Sequence, residues 1–129
     1  MQQPPDYKPV EQILKEVQQI ASGYTVFQCV ACANEIQNFL TSQGIAGKRI
    51  TLDSGFRDLP WSIIYDLKRQ EQIATNGCHE GIIISLGNKE IVFDNIEHAG
   101  VDKTEWLLNL SSPTIELGRG EFKITEEAF

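Results

Sequence analysis

Apolar residues recur at helical spacing from Val10 onward. Val10, Ile13, Leu14, Val17 and Ile20 fall on one stripe, which predicts an amphipathic helix over residues 9–21, closed by Ser22-Gly23. Tyr24 to Phe27 form a short apolar approach to a second periodic segment, expected as a helix from about Val30 to Ser42 and stopped by Gly44. There Cys29, Cys32, Ala33, Ile36, Phe39 and Leu40 share one face, which is expected to point into the protein. The period then changes. Gly47 to Asp53 alternates apolar and polar residues and predicts a strand over about 48–53. Residues 79–86 and 89–94 are rich in Ile and Val and are joined at Gly87-Asn88, a dipeptide suited to the positive backbone angles of a tight turn. They make the clearest hairpin in the chain.

The remaining stretches are less regular. Ser54 to Gln72 holds Pro60, Trp61, an apolar Ile63-Ile64-Tyr65 and a charged run, and reads as a loop with short irregular elements lying over the candidate site. Residues 103–110 predict a short helix with Trp106 and Leu107 inward and Asp102 or Thr104 as its cap. Ser111-Ser112-Pro113-Thr114 breaks that helix, and Glu121 to Thr125 is expected as a last, edge strand. No internal repeat or low-complexity segment interrupts the pattern. The expected architecture is α+β, with the two N-terminal helices packed on an antiparallel sheet. A length of 129 residues fits one compact domain over residues 10–129, after a polar, proline-rich and flexible lead over 1–9.

Composition narrows the functional classes. The formal net charge is −7, without any Lys/Arg-rich run or aromatic-basic interleaving, so nucleic acid is not expected as a partner. No apolar run approaches the roughly 20 residues of a membrane span, and membrane is not expected as a partner either. The first ten residues lack a basic region followed by an apolar stretch, so no signal peptide is read and a cytoplasmic location is expected. Cys29, Cys32 and Cys78 are odd in number and too few for a disulfide scaffold, which points to a reducing compartment and at least one free thiol.

Three residues carry candidate chemistry: Cys29 where a loop turns into a helix, His79 where a loop enters a strand, and Asp94 closing the next strand. The thiolate is the reactive form of cysteine, and unpaired N–H groups at a helix N-terminus favour it. Cys29 lies at such a terminus. Cys32 is almost a turn further in, on the core-facing stripe, where a cysteine behaves as a small hydrophobe. If Gly87-Asn88 is a two-residue turn, Leu86 opposes Lys89, and stepping outward along both strands puts Asp94 opposite Gly81. His79 and Asp94 then share a face as diagonal neighbours, about 7–8 Å apart at the backbone, with Gly81 leaving room for the imidazole to lean across. Asn95 points to the other face. Cys29 is thus the expected nucleophile, His79 the general base and acid, and Asp94 the group that orients the imidazole. Backbone N–H groups at the start of the second helix, aided by Gln28, are the expected oxyanion hole.

The other candidates in these segments are expected in lesser roles. His98 is expected at the surface, and Cys78 as a packed neighbour of His79. Cys29, Cys32, Cys78 and His79 also supply four possible zinc ligands. Against zinc, Cys78 and His79 are adjacent on an extended segment and point to opposite faces. No metal and no cofactor is expected.

In these segments the chain resembles the papain-fold toxin families, most closely papain fold toxin 2. The resemblance runs through F-Q-C-V-A-C-A-N-E-I, then G-I-A-G-K, N-G-C-H-E-G-I, V-F-D-N-I and G-V-D-K-T-E-W-L, roughly residues 24–110. It implies a papain-like fold and a Cys-His-Asp site at Cys29, His79 and Asp94. It also implies a bacterial toxin module acting as a peptidase or glutamine deamidase on a protein substrate and countered by an immunity protein. Delivered that way, the module would work in the cytoplasm of a target cell.

Overall fold

The computed structural model describes residues 9–129. The lead expected over residues 1–9 lies outside the described residues, apart from Pro9. Helix α1 (Val10–Ser22) starts after Pro9, whose carbonyl accepts hydrogen bonds from the N–H groups of Gln12 and Ile13. Helix α2 (Cys29–Ser42) follows, beginning one residue earlier than its apolar periodicity marks. Then come β1 (Lys48–Asp53), β2 (Ile64–Asp66), β3 (Glu71–Ala74), β4 (Cys78–Leu86), β5 (Lys89–Phe93) and β6 (Val101–Asp102). Helix α3 (Lys103–Leu108), β7 (Leu110–Ser111), helix α4 (Pro113–Glu116) and β8 (Lys123–Ala128) complete the order. Asp102 caps α3 by accepting from the Thr104 N–H at 3.0 Å, which settles the choice between Asp102 and Thr104.

The fold is α+β, as the patterning predicts, but it has one layer more than expected. Five antiparallel strands run in the order β6-β5-β4-β1-β8, with β8 at an edge. Behind them β3, β2 and β7 form a second, three-stranded antiparallel sheet. The segment from Ser54 to Gln72 therefore supplies β2 and the first residues of β3, where the sequence predicts only irregular elements. In strands of two to four residues the period of two scarcely repeats, so local patterning cannot announce them.

Two cores sandwich the large sheet. On one face Val17 of α1 and Cys32, Ile36 and Leu40 of α2 pack against Ile82, Ile84 and Phe93. On the other, Ile50, Leu52, Ile83 and Val92 pack against Ile64 and Ile73 of the small sheet and Trp106 of α3. Each fully buried aliphatic or aromatic side chain here contributes about 1.5–3 kcal/mol relative to exposure. Strand β4 is central and covered on both faces, so its apolar residues run together as Ile82-Ile83-Ile84 instead of alternating. Even-numbered positions of β4 meet the helices, while the odd-numbered Ile83 meets the small sheet and α3. His79 shares the parity of Ile83, and that places it on the α3 side.

Candidate active site

Cys29 is the first residue of α2, and a tight turn delivers the chain to it. The Gln28 N–H donates to the Thr25 carbonyl at 3.2 Å, while the N–H and hydroxyl of Thr25 donate to Gln28 Oε1 at 2.7 and 3.1 Å. Between them Phe27 takes a φ of 72°, in the left-handed region. The Asn95 amide Nδ2 donates to the Thr25 carbonyl at 2.8 Å and ties this turn to the residues just past β5. The Cys29 side of the site and the Asp94 side are thereby pinned to each other through neighbouring residues.

The hairpin has the register that its turn predicts. Leu86 pairs with Lys89, and the ladder continues without slip to Ile82 opposite Phe93. Strand β5 ends there, and Asp94 is the next residue. His79 is fully buried and Asp94 nearly so, and Nε2 of His79 donates to Asp94 Oδ2 at 2.8 Å. The expected diagonal neighbours therefore touch. The role expected of Gly81 is corrected. The space over it is occupied, since a Cβ there would lie 2.8 Å from Val92 Cγ1 and 3.4 Å from Trp106 Cζ2. Gly81 lets neighbouring side chains close down on the sheet and does not leave a gap for the imidazole.

Asp94 receives four donors. Oδ2 accepts from His79 and from the Trp106 indole N–H at 2.7 Å, and Oδ1 accepts from the N–H groups of Ile96 at 2.8 Å and Glu97 at 2.5 Å. Burial alone would raise the carboxyl pKa. The hydrogen bond and charge of His79, then the Glu97 N–H and the indole, outweigh it and hold Asp94 below the ordinary carboxylate range. Asp94 is therefore a carboxylate and only accepts, so Nε2 of His79 carries a proton. Burial pulls the imidazole pKa down, but the bond to Asp94 and then the interaction with Cys29 push it up to about 9. Nδ1 of His79 makes no bond of full hydrogen-bond geometry, so its interaction with Cys29 is a looser contact. The Trp106 indole stacks on the imidazole, with ring centroids 5.7 Å apart and planes inclined by 27°.

The remaining sequence candidates fall elsewhere. Cys32 is wholly buried in the helix-side core, and its thiol is pushed up to about 12, by burial first and then by the charges of Asp94 and Cys29. Cys78 is half-buried and its thiol is also raised, by burial and by Asp53. The His98 ring pairs with the Asn95 carbonyl at 2.7 Å. Gln28 sits at the N-cap of α2 without a capping side-chain bond, its carbonyl held by Thr25. Among the described residues, no group of three or more His, Cys, Asp or Glu side chains is placed to hold a metal ion. Sequence patterning turned Trp106 inward without linking it to Asp94. The available signal is general: a buried indole N–H nearly always has an acceptor, and a carboxylate already assigned to His79 keeps further acceptor directions.

Among the described residues no helix is long and apolar enough to cross a membrane. Searches of curated proteins and of solved structures found no significant match. The profile of one family, papain fold toxin 2, matches residues 12–111, a span that takes in Cys29, His79, Asp94 and Trp106. With most of its length matched, and with helices followed by antiparallel sheets, the chain belongs to the papain fold toxin 2 family.

Proposed function

We propose that this papain-like toxin module is a thiol hydrolase of protein amides, working through Cys29, His79 and Asp94. The observation that carries the proposal is the polarised imidazole: Nε2 is committed to Asp94, which leaves Nδ1, without a bond of full geometry, for the interaction with Cys29. In the first step Cys29 Sγ bonds to the amide carbon while His79 Nδ1 holds the proton taken from the thiol. The carbon–nitrogen bond then breaks, and His79 returns the proton to the departing amine or ammonia. Water attacks the resulting thioester with His79 as base, releasing the acid and restoring the thiol. Asp94 keeps the imidazole oriented and favours its charged form through both steps. The oxyanion would be received by backbone N–H groups in the first turn of α2, which lack helical acceptors, with Gln28 at the N-cap beside them.

Glutamine deamidation and peptide hydrolysis share this chemistry, as does transglutamination when an amine replaces water. A protein substrate and a protective immunity protein are the partners the family resemblance implies. Intact-mass labelling with iodoacetamide near neutral pH tests the nucleophile. Cys29→Ala is expected to abolish the fast phase, Cys32→Ala to keep it, and His79→Ala to slow it. Fast labelling that survives loss of Cys29 refutes the assignment. One observation favours a second reading, a non-catalytic binding module: His79 is fully buried and Cys29 only 8% exposed. On that reading His79→Ala leaves thiol reactivity and any cellular toxicity unchanged.

A further inference from the structure

We infer that Trp106 is a positioning residue of the Cys29–His79–Asp94 site, fixing through its indole N–H which oxygen and which direction of Asp94 meet the imidazole. The inference rests on the catalytic reading above and goes beyond its three residues. Asp94 Oδ2 has two acceptor directions. The indole N–H at 2.7 Å occupies one, and His79 Nε2 at 2.8 Å takes the other. The second oxygen, Oδ1, is saturated by two backbone N–H groups, so the carboxylate cannot rotate without breaking bonds at both ends. The same indole lies against the face of the imidazole. Its edge therefore orients the acceptor while its face restricts the tilt of the donor.

The placement of Trp106 is specific. Asp102 caps α3 and sets the phase that turns Trp106 inward, where its Cζ2 lies directly over Gly81. Any buried indole N–H needs an acceptor, but here that acceptor is the same oxygen that meets His79, and the ring also stacks on the imidazole. Phenylalanine would fill much of that volume with no donor at all. The ionisable groups acting on this pair are His79 and Asp94 themselves, with Cys29 beside the imidazole and Cys32 sensing the Asp94 charge.

Trp106→Phe keeps an aromatic face and removes the donor, and the test is the pH profile of Cys29 alkylation by iodoacetamide. Protonating Asp94 removes the anion that holds the imidazolium, and the thiol then regains its proton. Without the indole donor the carboxylate is easier to protonate, so the acidic limb is expected to move up by about one pH unit, the worth of one hydrogen bond to a charged group. A folded Trp106→Phe protein with the wild-type limb overturns the inference. The wild-type protein offers an independent readout through its two indole N–H resonances, assigned with Trp61→Phe. The Trp106 signal is expected to shift with the same midpoint as the His79 ring protons, and a signal indifferent to that titration refutes the role. The two proposals fail separately. If His79→Ala leaves alkylation unchanged, the catalytic reading falls. If His79→Ala slows it while Trp106 passes neither test, only the positioning role falls.

Discussion

At the residue scale, Asp94 concentrates the most interaction on one side chain. It is buried, charged and met by four donors, so truncating it strands the donors of His79 and Trp106 in an environment without water. Asp94→Ala is expected to cost about 3–5 kcal/mol in denaturant unfolding, the usual penalty for breaking a buried ionic network. The pH dependence follows from the two shifts. His79 is raised from 6.5 to about 9, so its contribution to stability is full below 6.5 and is lost as pH rises toward 9. Asp94 is lowered from 3.8, so its contribution is full above 3.8 and is lost only as pH falls through its depressed value. Stability from the pair therefore peaks between 3.8 and 6.5. The urea midpoint of the wild-type protein is expected to fall between pH 6.5 and 9, and His79→Gln to flatten that fall. A flat wild-type midpoint across this interval would show that the imidazole carries no stabilising charge. Much of this scale was readable beforehand. Position along α2 separated Cys29 from Cys32: both lie on the inward face, but only Cys29 stands at the N-terminus, while Cys32 lies almost a turn further in, within the core.

At the element scale, the hairpin shows what a sequence can announce and what it cannot. Gly87-Asn88 dictates the register, and the register dictates that His79 meets Asp94, so a local dipeptide fixes a contact fifteen residues apart. The small sheet had no such marker. Strand β2 has three residues and β7 two, and β7 pairs with β2 across more than forty residues of chain. What holds them is burial of Ile64, Ile73 and Leu110 on the far face of the large sheet, a property of the assembled fold rather than of any window. Two glycines separate backbone demand from packing demand. At Gly81 the obstacle is packing, so Gly81→Ala is expected to cost about 1–3 kcal/mol as an overpacked core and to disturb Trp106 and the alkylation of Cys29. At Gly87 the φ of 64° is the obstacle and no atom lies within 4 Å. Gly87→Ala should cost about 1–2 kcal/mol of backbone strain and leave the thiol chemistry intact. Urea unfolding and iodoacetamide labelling of both variants check this contrast. Equal effects on labelling would contradict the placement of Gly81 beside the site.

At the scale of the whole molecule, the site is divided between the two faces of the large sheet. Helix α2 belongs to the helix-side layer and brings Cys29. His79 and Asp94 have Trp106 of the opposite layer packed onto them. His79 is the second residue of β4 and Asp94 follows the last residue of β5, so the halves meet at one end of the sheet, where the Asn95–Thr25 bond ties them. Meeting between layers keeps the imidazole dry enough for its bond to Asp94 to be strong, but it also restricts access to the thiol. Cys29 is 8% exposed, whereas Cys78, the first residue of β4, is more open but has its thiol raised by burial and Asp53. Reactivity and accessibility therefore favour different cysteines. A small electrophile such as iodoacetamide is expected to modify Cys29 first at neutral pH, because the neighbouring imidazolium favours its thiolate. A bulky maleimide dye should reverse the order and reach Cys78 first, because steric entry then decides. Peptide mapping after brief exposure to each reagent reads the ratio directly. If both reagents prefer Cys78, the imidazole does not activate the thiol. If both prefer Cys29, the site is wider than the packing of these layers allows.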